Sequence, residues 1–210
     1  MFNNKKVLAL GAHPDDIEFS SGATIKRMVE EGAIVYWAVF SPCIKSLPQG
    51  SEHDRLFKEM RRSAEVLGVS NDRIFTYHFE VRLFTKTRQD ILEEMMDLRR
   101  KIQPDIVLLP NSVDVHQDHQ VIHNEGVRAF KNSCLWGYEL PWNDLQLKNQ
   151  FFVKLDENHL KAKVDAIAHY QSQTSRFYHQ PNFYYSLATV RGTQVSAQYA
   201  ESFEVLRWIM

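Results

Sequence analysis

Val7-Leu8-Ala9-Leu10 runs without a polar residue into Gly11-Ala12-His13-Pro14-Asp15-Asp16-Ile17-Glu18, and the amphipathic stretch Ser21–Glu31 follows. A strand that is apolar throughout, rather than alternating, suits a parallel sheet buried on both faces. Ile25, Met28 and Val29 share one face of the following helix, and Gly32 stops it. The same alternation continues outward. Ile34–Phe40, Ile74–Phe79 and Ile106–Leu109 read as strands; Asp54–Leu67, Arg88–Ile102 and His119–Phe130 read as helices. Four strand–helix units with short connections predict a Rossmann-like, doubly wound α/β fold with a mostly parallel sheet. In the less regular C-terminal part, Phe151–Leu155 and Phe183–Val190 are expected as strands around a helix at Glu157–Tyr170. No linker or composition shift sets this part off, so residues 1–210 are expected to form one domain with a C-terminal α+β extension.

Composition excludes several classes. The chain has 210 residues, is 44% hydrophobic and 12% aromatic, which suits a packed core rather than disorder. Its 25 Lys and Arg against 26 Asp and Glu leave a formal charge of -1, so no global field draws it to nucleic acid or an anionic membrane. Cys43 and Cys134 stand far apart and form no Cys-x-x-Cys pair, the usage of a reducing compartment. The apolar run Val7–Ala12 is shorter than the roughly 7–15 residues of a signal-peptide core, and no stretch approaches the ~20 of a membrane span. A cytoplasmic protein is expected.

In doubly wound sheets, ligands bind outside the carboxyl ends of the strands. The loop after the first strand holds His13, Asp15, Asp16 and Glu18; the loop after the fourth holds Asp114, His116, Asp118 and His119. Helix capping explains one carboxylate in each loop and leaves the histidines unexplained. The first and fourth strands are commonly neighbours in this topology, so the loops are expected to converge on a metal. Imidazole plus carboxylate without thiolate suits a catalytic Zn²⁺ with three protein ligands and a free position, and Fe²⁺ accepts a similar set. Such an ion with a nearby carboxylate base is equipped to hydrolyse an amide or ester. No Gly-x-Gly-x-x-Gly follows the first strand, which disfavours a dinucleotide enzyme.

His13-Pro14-Asp15-Asp16 paired with His116-x-Asp118-His119 resembles the LmbE-like, or PIG-L, N-acetylglucosaminyl deacetylases. The resemblance runs nearly end to end and takes in Gly22, Leu67-Gly68-Val69, Tyr170-x-Ser172-Gln173 and Tyr199-Ala200-Glu201. It implies a zinc-dependent hydrolase that removes acetyl groups from N-acetylated sugars or related amides, and it allows a homo-oligomer. Position by position, it makes His13, Asp16 and His119 the metal ligands and Asp15 the base that activates the metal-bound water. It makes His116 the group that meets the oxyanion or protonates the leaving amine, with Asp118 behind it to orient and charge the ring. Ile17 separates Asp16 from Glu18, whereas the tightest form of the motif puts Glu directly after the second Asp, so the role of Glu18 stays open.

Weaker candidates complete the reading. Arg55 and Arg82 are candidate contacts to a sugar substrate, and Trp142 is a candidate platform for its ring. His123 reads as an ordinary helix residue, while the loops Ser41–His53 and Cys134–Gln150 are expected to carry specificity. Two rival functions stand beside the deacetylase: a catalytically silent metal- or sugar-binding protein and a two-metal phosphoesterase.

Overall fold

Successive residues of the first strand point to opposite faces, and both faces are covered. In the computed structural model, which describes residues 1–47, 50–146 and 148–209, Val7 and Ala9 join one hydrophobic core and Leu8 and Leu10 the other. The four are fully buried, each aliphatic side chain of this size contributing about 1.5–3 kcal/mol by leaving water. The chain runs β1 (Lys6–Gly11), α1 (Asp16–Glu30), β2 (Ile34–Val39), α2 (Arg55–Val66), β3 (Ile74–Thr76), α3 (Arg88–Ile102), β4 (Ile106–Pro110) and α4 (Gln117–Ala129). It continues through β5 (Cys134–Tyr138), β6 (Phe151–Leu155), α5 (Glu157–Ile167), α6 (Pro181–Thr193) and β7 (Tyr199–Arg207). The strands form one seven-stranded sheet in the order β3-β2-β1-β4-β5-β7-β6. The first five are parallel; β7 runs antiparallel to both β5 and β6. Side chains of α1, α2, α5 and α6 fill one core and those of α3 and α4 the other, which is the doubly wound arrangement.

Two departures from the sequence reading concern the C-terminal part. Phe183–Val190 is not a strand but the body of α6. Pro181 sits in its first turn, where a missing N–H costs nothing, and Tyr184, Ala188 and Gly192 are buried at helical spacing. The aromatic and β-branched content of that segment is a preference that packing overrides. The segment expected as a long loop from Cys134 instead opens with β5, paired to β4 from Ile106↔Cys134 to Pro110↔Tyr138. A Cβ at Gly137 would stand 2.8 Å from Asn111 Cα, so glycine lets β5 approach the end of β4. Within the two loops expected to carry specificity, Pro48, Gln49 and Leu147 lie outside the described residues. Both cysteines are free thiols, and no helix among the described residues is long and apolar enough to cross a membrane.

The C-terminal elements stitch a break in α1. Ser21 leaves helical geometry (φ -122°, ψ 20°), which frees backbone groups inside the helix. The Glu201 carboxylate of β7 accepts from Ala23 N (3.3 Å) and Thr24 N (2.7 Å). Lys163 of α5, also buried, donates to Glu201 (2.6 Å) and to the Ser20 carbonyl (2.8 Å). A Cβ at Gly22 would lie 3.1 Å from Lys163 Cγ, so the small residue admits the lysine stem.

Candidate metal centre and its cleft

β1 and β4 are hydrogen-bonded neighbours, and the loops at their carboxyl ends converge. Each helix starts inside its motif, earlier than expected: α1 at Asp16 and α4 at Gln117. Asp15 occupies the N-cap position of α1 yet its side chain makes no capping bond, which leaves the carboxylate free for other work. At α4 the N-cap is His116, whose Nδ1 accepts from Asp118 N at 3.2 Å. Capping by the Asp118 carboxylate does not occur. In the first loop, Asp16 Oδ2 accepts from His13 N (2.8 Å), which folds the loop back on the first helical turn.

Three donor atoms meet there. His13 Nδ1 and His119 Nε2 are 3.1 Å apart, and Asp16 Oδ1 lies 3.6 Å from the first and 3.3 Å from the second. A tetrahedral ion with bonds of about 2.0–2.1 Å needs ligand atoms roughly 3.3–3.4 Å apart, so this triangle fits one. The three imidazoles of His13, His116 and His119 also form a cluster of possible ligand atoms, but a looser one, within 4.8 Å of one another. The tighter set is His13, Asp16 and His119.

Behind each of the two imidazoles in that set stands a buried carboxylate. His119 Nδ1 is 2.6 Å from Asp114 Oδ2, and His13 Nε2 is 3.1 Å from Asp118 Oδ2. Asp114, Asp118 and His119 are all buried. Histidines that hold a metal commonly bond a carboxylate through their second nitrogen, which fixes the tautomer and strengthens the ligand. The expected pairing of Asp118 with His116 is therefore corrected. The Asp118 carboxylate serves His13 and the backbone N–H groups of Arg82 (2.6 Å) and Phe84 (3.4 Å), and only its own N–H reaches His116. The sequence reading gave Asp114 no role, although it stands five residues before His119 inside the quoted loop; no spacing rule separates it from Asp118 until the chain folds.

Electrostatics follow from this geometry. Burial raises Asp16, but His119 and His13 outweigh it and hold the carboxyl well below its usual range. Burial lowers His13, yet the Asp16 and Asp118 carboxylates bring it up to about 9, and His119 is raised well above its ordinary value against burial by Asp16 and Asp114. Positive charge is thus favoured where the donor atoms meet. Burial, with the neighbouring Asp16 charge, pushes Asp15 up to about 6. His116 goes the other way, to about 4, through burial and the repulsion of His119 and His13. An amide N–H can only donate, so His116 Nδ1 accepts and its proton sits on Nε2. The expected imidazolium is a neutral donor.

The centre opens into a cavity of about 310 Å³ whose lining includes Asp15, Arg82, His116, Trp142, Asn143, Gln173, Arg176 and Tyr178. Trp142 stacks on Tyr178, rings 3.9 Å apart and 12° from parallel. Arg55 does not line it; its Nε donates to Glu59 on the same helix (3.2 Å), and Glu59 in turn accepts from Ser172 N (3.1 Å) and Oγ. Glu18 is fully buried, and burial raises it to about 8. The Tyr170 hydroxyl lies between Glu18 Oε1 and the Pro14 carbonyl, tying the first loop to the end of α5. His123 Nδ1 bonds the Pro110 carbonyl (2.8 Å), a structural role. Arg176 and Tyr178 fall in an irregular segment with no motif of its own, so nothing local in the sequence marks them.

Residues 8–130 match the family described as GlcNAc-PI de-N-acetylase, PIG-L. The chain is 27% identical over 179 residues to a protein of Escherichia coli K12 named uncharacterized deacetylase YaiS, covering 80% of this chain and 91% of that one. It is 27% identical over 205 residues to the diacetylchitobiose deacetylase of Thermococcus kodakarensis, covering 93% and 69%. Its fold is shared with the A40926 pseudoaglycone deacetylase Dbv21, with a TM-score of 0.81, 18% identity and coverage of 99% and 100%. With more than half its length inside the family match and both characteristic loops brought together at one cleft, the chain belongs to the PIG-L family of de-N-acetylases.

Proposed function

We propose that this protein is a zinc-dependent hydrolase that removes the acetyl group from an N-acetylated sugar, of the N-acetylglucosamine type, or from a sugar conjugate. One observation carries the metal: two imidazoles turn one nitrogen each toward the Asp16 carboxylate while a buried carboxylate holds the other nitrogen. His13, Asp16 and His119 would hold the ion. The donor set also accepts Fe²⁺. Burial pushes the Cys43 thiol in the cleft wall up, which keeps it protonated and out of the ligand set. A divalent ion at this position supplies Lewis-acid polarisation of the amide carbonyl and acidifies a water molecule.

The chain's own residues do the rest. Asp15, with its carboxyl raised to about 6, is ionised at neutral pH and basic enough to take a proton from the attacking water. As that water adds to the acetyl carbon, negative charge grows on the carbonyl oxygen. His116 Nε2–H donates to it as a preorganised neutral donor. Asp15 then passes its proton to the nitrogen, the C–N bond breaks, and acetate and the free amine leave. Asp118 and Asp114 act through the imidazoles they orient. Trp142 and Tyr178 offer an aromatic face for a sugar ring.

The rivals differ in what they need. A phosphoesterase of the two-metal kind requires a second ion about 3.5–4 Å away. Among the described residues the imidazoles at ligand spacing form one cluster, which favours a single ion. A silent binder has no use for an uncapped, raised Asp15. The test is metal analysis beside an acetate-release screen of N-acetylated sugars. One ion per chain is expected, lost with activity in His13→Ala and His119→Ala. Two ions per chain with phosphoester cleavage and no acetate would replace the deacetylase reading.

A further inference from the structure

We infer that the substrate carries an anionic group, a carboxylate or phosphate, on the part of the molecule beyond the N-acetylated ring, gripped by Arg82 and Arg176. This rests on the deacetylase reading above and narrows its substrate class. The arginines of this protein are otherwise well occupied. Arg55, Arg88, Arg128 and Arg191 pair with carboxylates, and Arg99 and Arg207 donate to backbone carbonyls. Arg82 and Arg176 both line the catalytic cavity, and neither has a carboxylate partner among the described residues. Arg176 has only the Gln173 side chain, at 3.4 Å.

Two exposed guanidiniums facing one cavity repel each other, and a bound anion relieves that repulsion while accepting paired hydrogen bonds from each planar fork. Neutral sugar hydroxyls do not call for such a pair. The backbone of Arg82 adds a second observation. Its φ is +69°, left-handed geometry that costs a long side chain and would cost glycine nothing. Its N–H is bonded to the same Asp118 oxygen that bonds His13. The residue is therefore anchored one carboxylate away from the imidazole of the metal triangle, in a conformation kept at some expense. Arg176 reaches the cavity from a different part of the chain, the connection between α5 and α6.

The experiment measures binding by calorimetry, using deacetylated aryl glucosaminides that cannot turn over: 4-carboxyphenyl, 4-phosphonophenyl and neutral 4-methylphenyl. The metal-loaded protein should bind an anionic glycoside about tenfold tighter than the neutral one at low salt, with the ratio shrinking as ionic strength rises. The carboxyphenyl and phosphonophenyl arms tell which anion is preferred. Arg176→Gln and Arg82→Gly should each cut the ratio several-fold; the glycine variant also relieves the backbone, so it remains folded. Arg100→Gln, at the carboxyl end of α3 and so at the opposite edge of the sheet, should leave the ratio as it is. A ratio near one in the wild type, or one unchanged in both cleft variants, overturns the inference. Acetate release from the N-acetyl forms of the same glycosides reports separately on the deacetylase reading. Acetate release with unselective binding sinks only the anion site; selective, arginine-dependent binding without acetate release sinks only the deacetylase.

Discussion

The parallel half of the molecule, β1 to β5, and the C-terminal half, from β6 onward, meet at the same cleft and contribute different things. The first half supplies the groups with perturbed proton affinities: His13, Asp15, Asp16, His116 and His119, all on loops at the carboxyl ends of two neighbouring strands. The second supplies walls and braces. Gln173, Arg176 and Tyr178 line the cavity, Tyr170 holds the Pro14 carbonyl, and Lys163 with Glu201 closes the break in α1. A parallel sheet offers chemistry at strand ends because the chain must turn there and its helix N-termini point inward. An antiparallel edge and its helices have no such junction, and their freedom to vary is spent on shape.

That division is open to being broken. Its largest expected signature is Asp15→Asn, which should keep the metal and lose roughly 10²–10⁴-fold in turnover, the usual contribution of a general base. Metal titration beside single-turnover kinetics would show this, and a variant that loses metal instead would move Asp15 into the ligand set. Next comes Lys163→Met in the second half. It leaves the Glu201 carboxylate buried without its cation, which should cost about 3–5 kcal/mol in urea unfolding while the folded fraction keeps its metal affinity. Adding Glu201→Gln should return part of that loss. If Lys163→Met empties the metal site of folded protein, the brace belongs to the chemistry after all.

Smaller effects sharpen the comparison within the first half. Asp114→Asn and Asp118→Asn each remove a carboxylate behind a ligating imidazole and should weaken metal binding by about 10–100-fold. Competition with a chromophoric chelator measures both. The Asp118 change should act through His13 and Arg82 and leave His116 neutral, whereas a shift confined to His116 titration would restore the pairing expected from the family resemblance.

The subtlest prediction concerns Glu18. Its folded carboxyl is raised to about 8, above the ordinary 4.5, so the native state binds the extra proton between those values. Stability of the metal-free protein should therefore fall as pH rises through that window, the folded state holding more protons than the unfolded. Glu18→Gln keeps an acceptor for the Tyr170 hydroxyl and removes the titration. Its stability relative to wild type should climb from pH 5 to pH 8 in urea melts, and a flat difference would mean that Glu18 is ionised in place.

How much of this was legible beforehand depended on the range over which the signal acts. The β1–α1 and β4–α4 junctions were readable because an unbroken apolar run, a helix periodicity and a cluster of metal-binding side chains all lie within about a dozen residues. The helices nonetheless begin earlier than periodicity implied, at Asp16 and Gln117, since their first turns carry functional rather than apolar residues. β7 was hidden by its own chemistry. Glu201, Ser202 and Glu204 are buried in it, which a hydrophobicity pattern reads as solvent-facing, and partners such as Lys163 and Ser112 that make the burial affordable lie tens of residues away. β5 is five residues long and gains strand character from its neighbours on both sides. Phe183–Val190 has strand-forming residues and became a helix because Pro181 starts one and the packing of Tyr184 and Ala188 rewards it.

The sequence by itself determined the sheet's parallel half, the position of the two loops and the identity of the side chains they carry, because alternation and local motif are properties of contiguous residues. The tertiary structure alone decided which carboxylate stands behind which imidazole. Asp118 and Asp114 are four residues apart on one loop, and only the approach of β1 to β4 puts one against His13 and leaves the other to His119. The same holds for the charge of His116, left neutral because the carboxylate expected to protonate it faces another ring. Partnership between charged groups is set by distances across the fold, and a change of a few ångströms in a buried site outweighs any preference written along the chain.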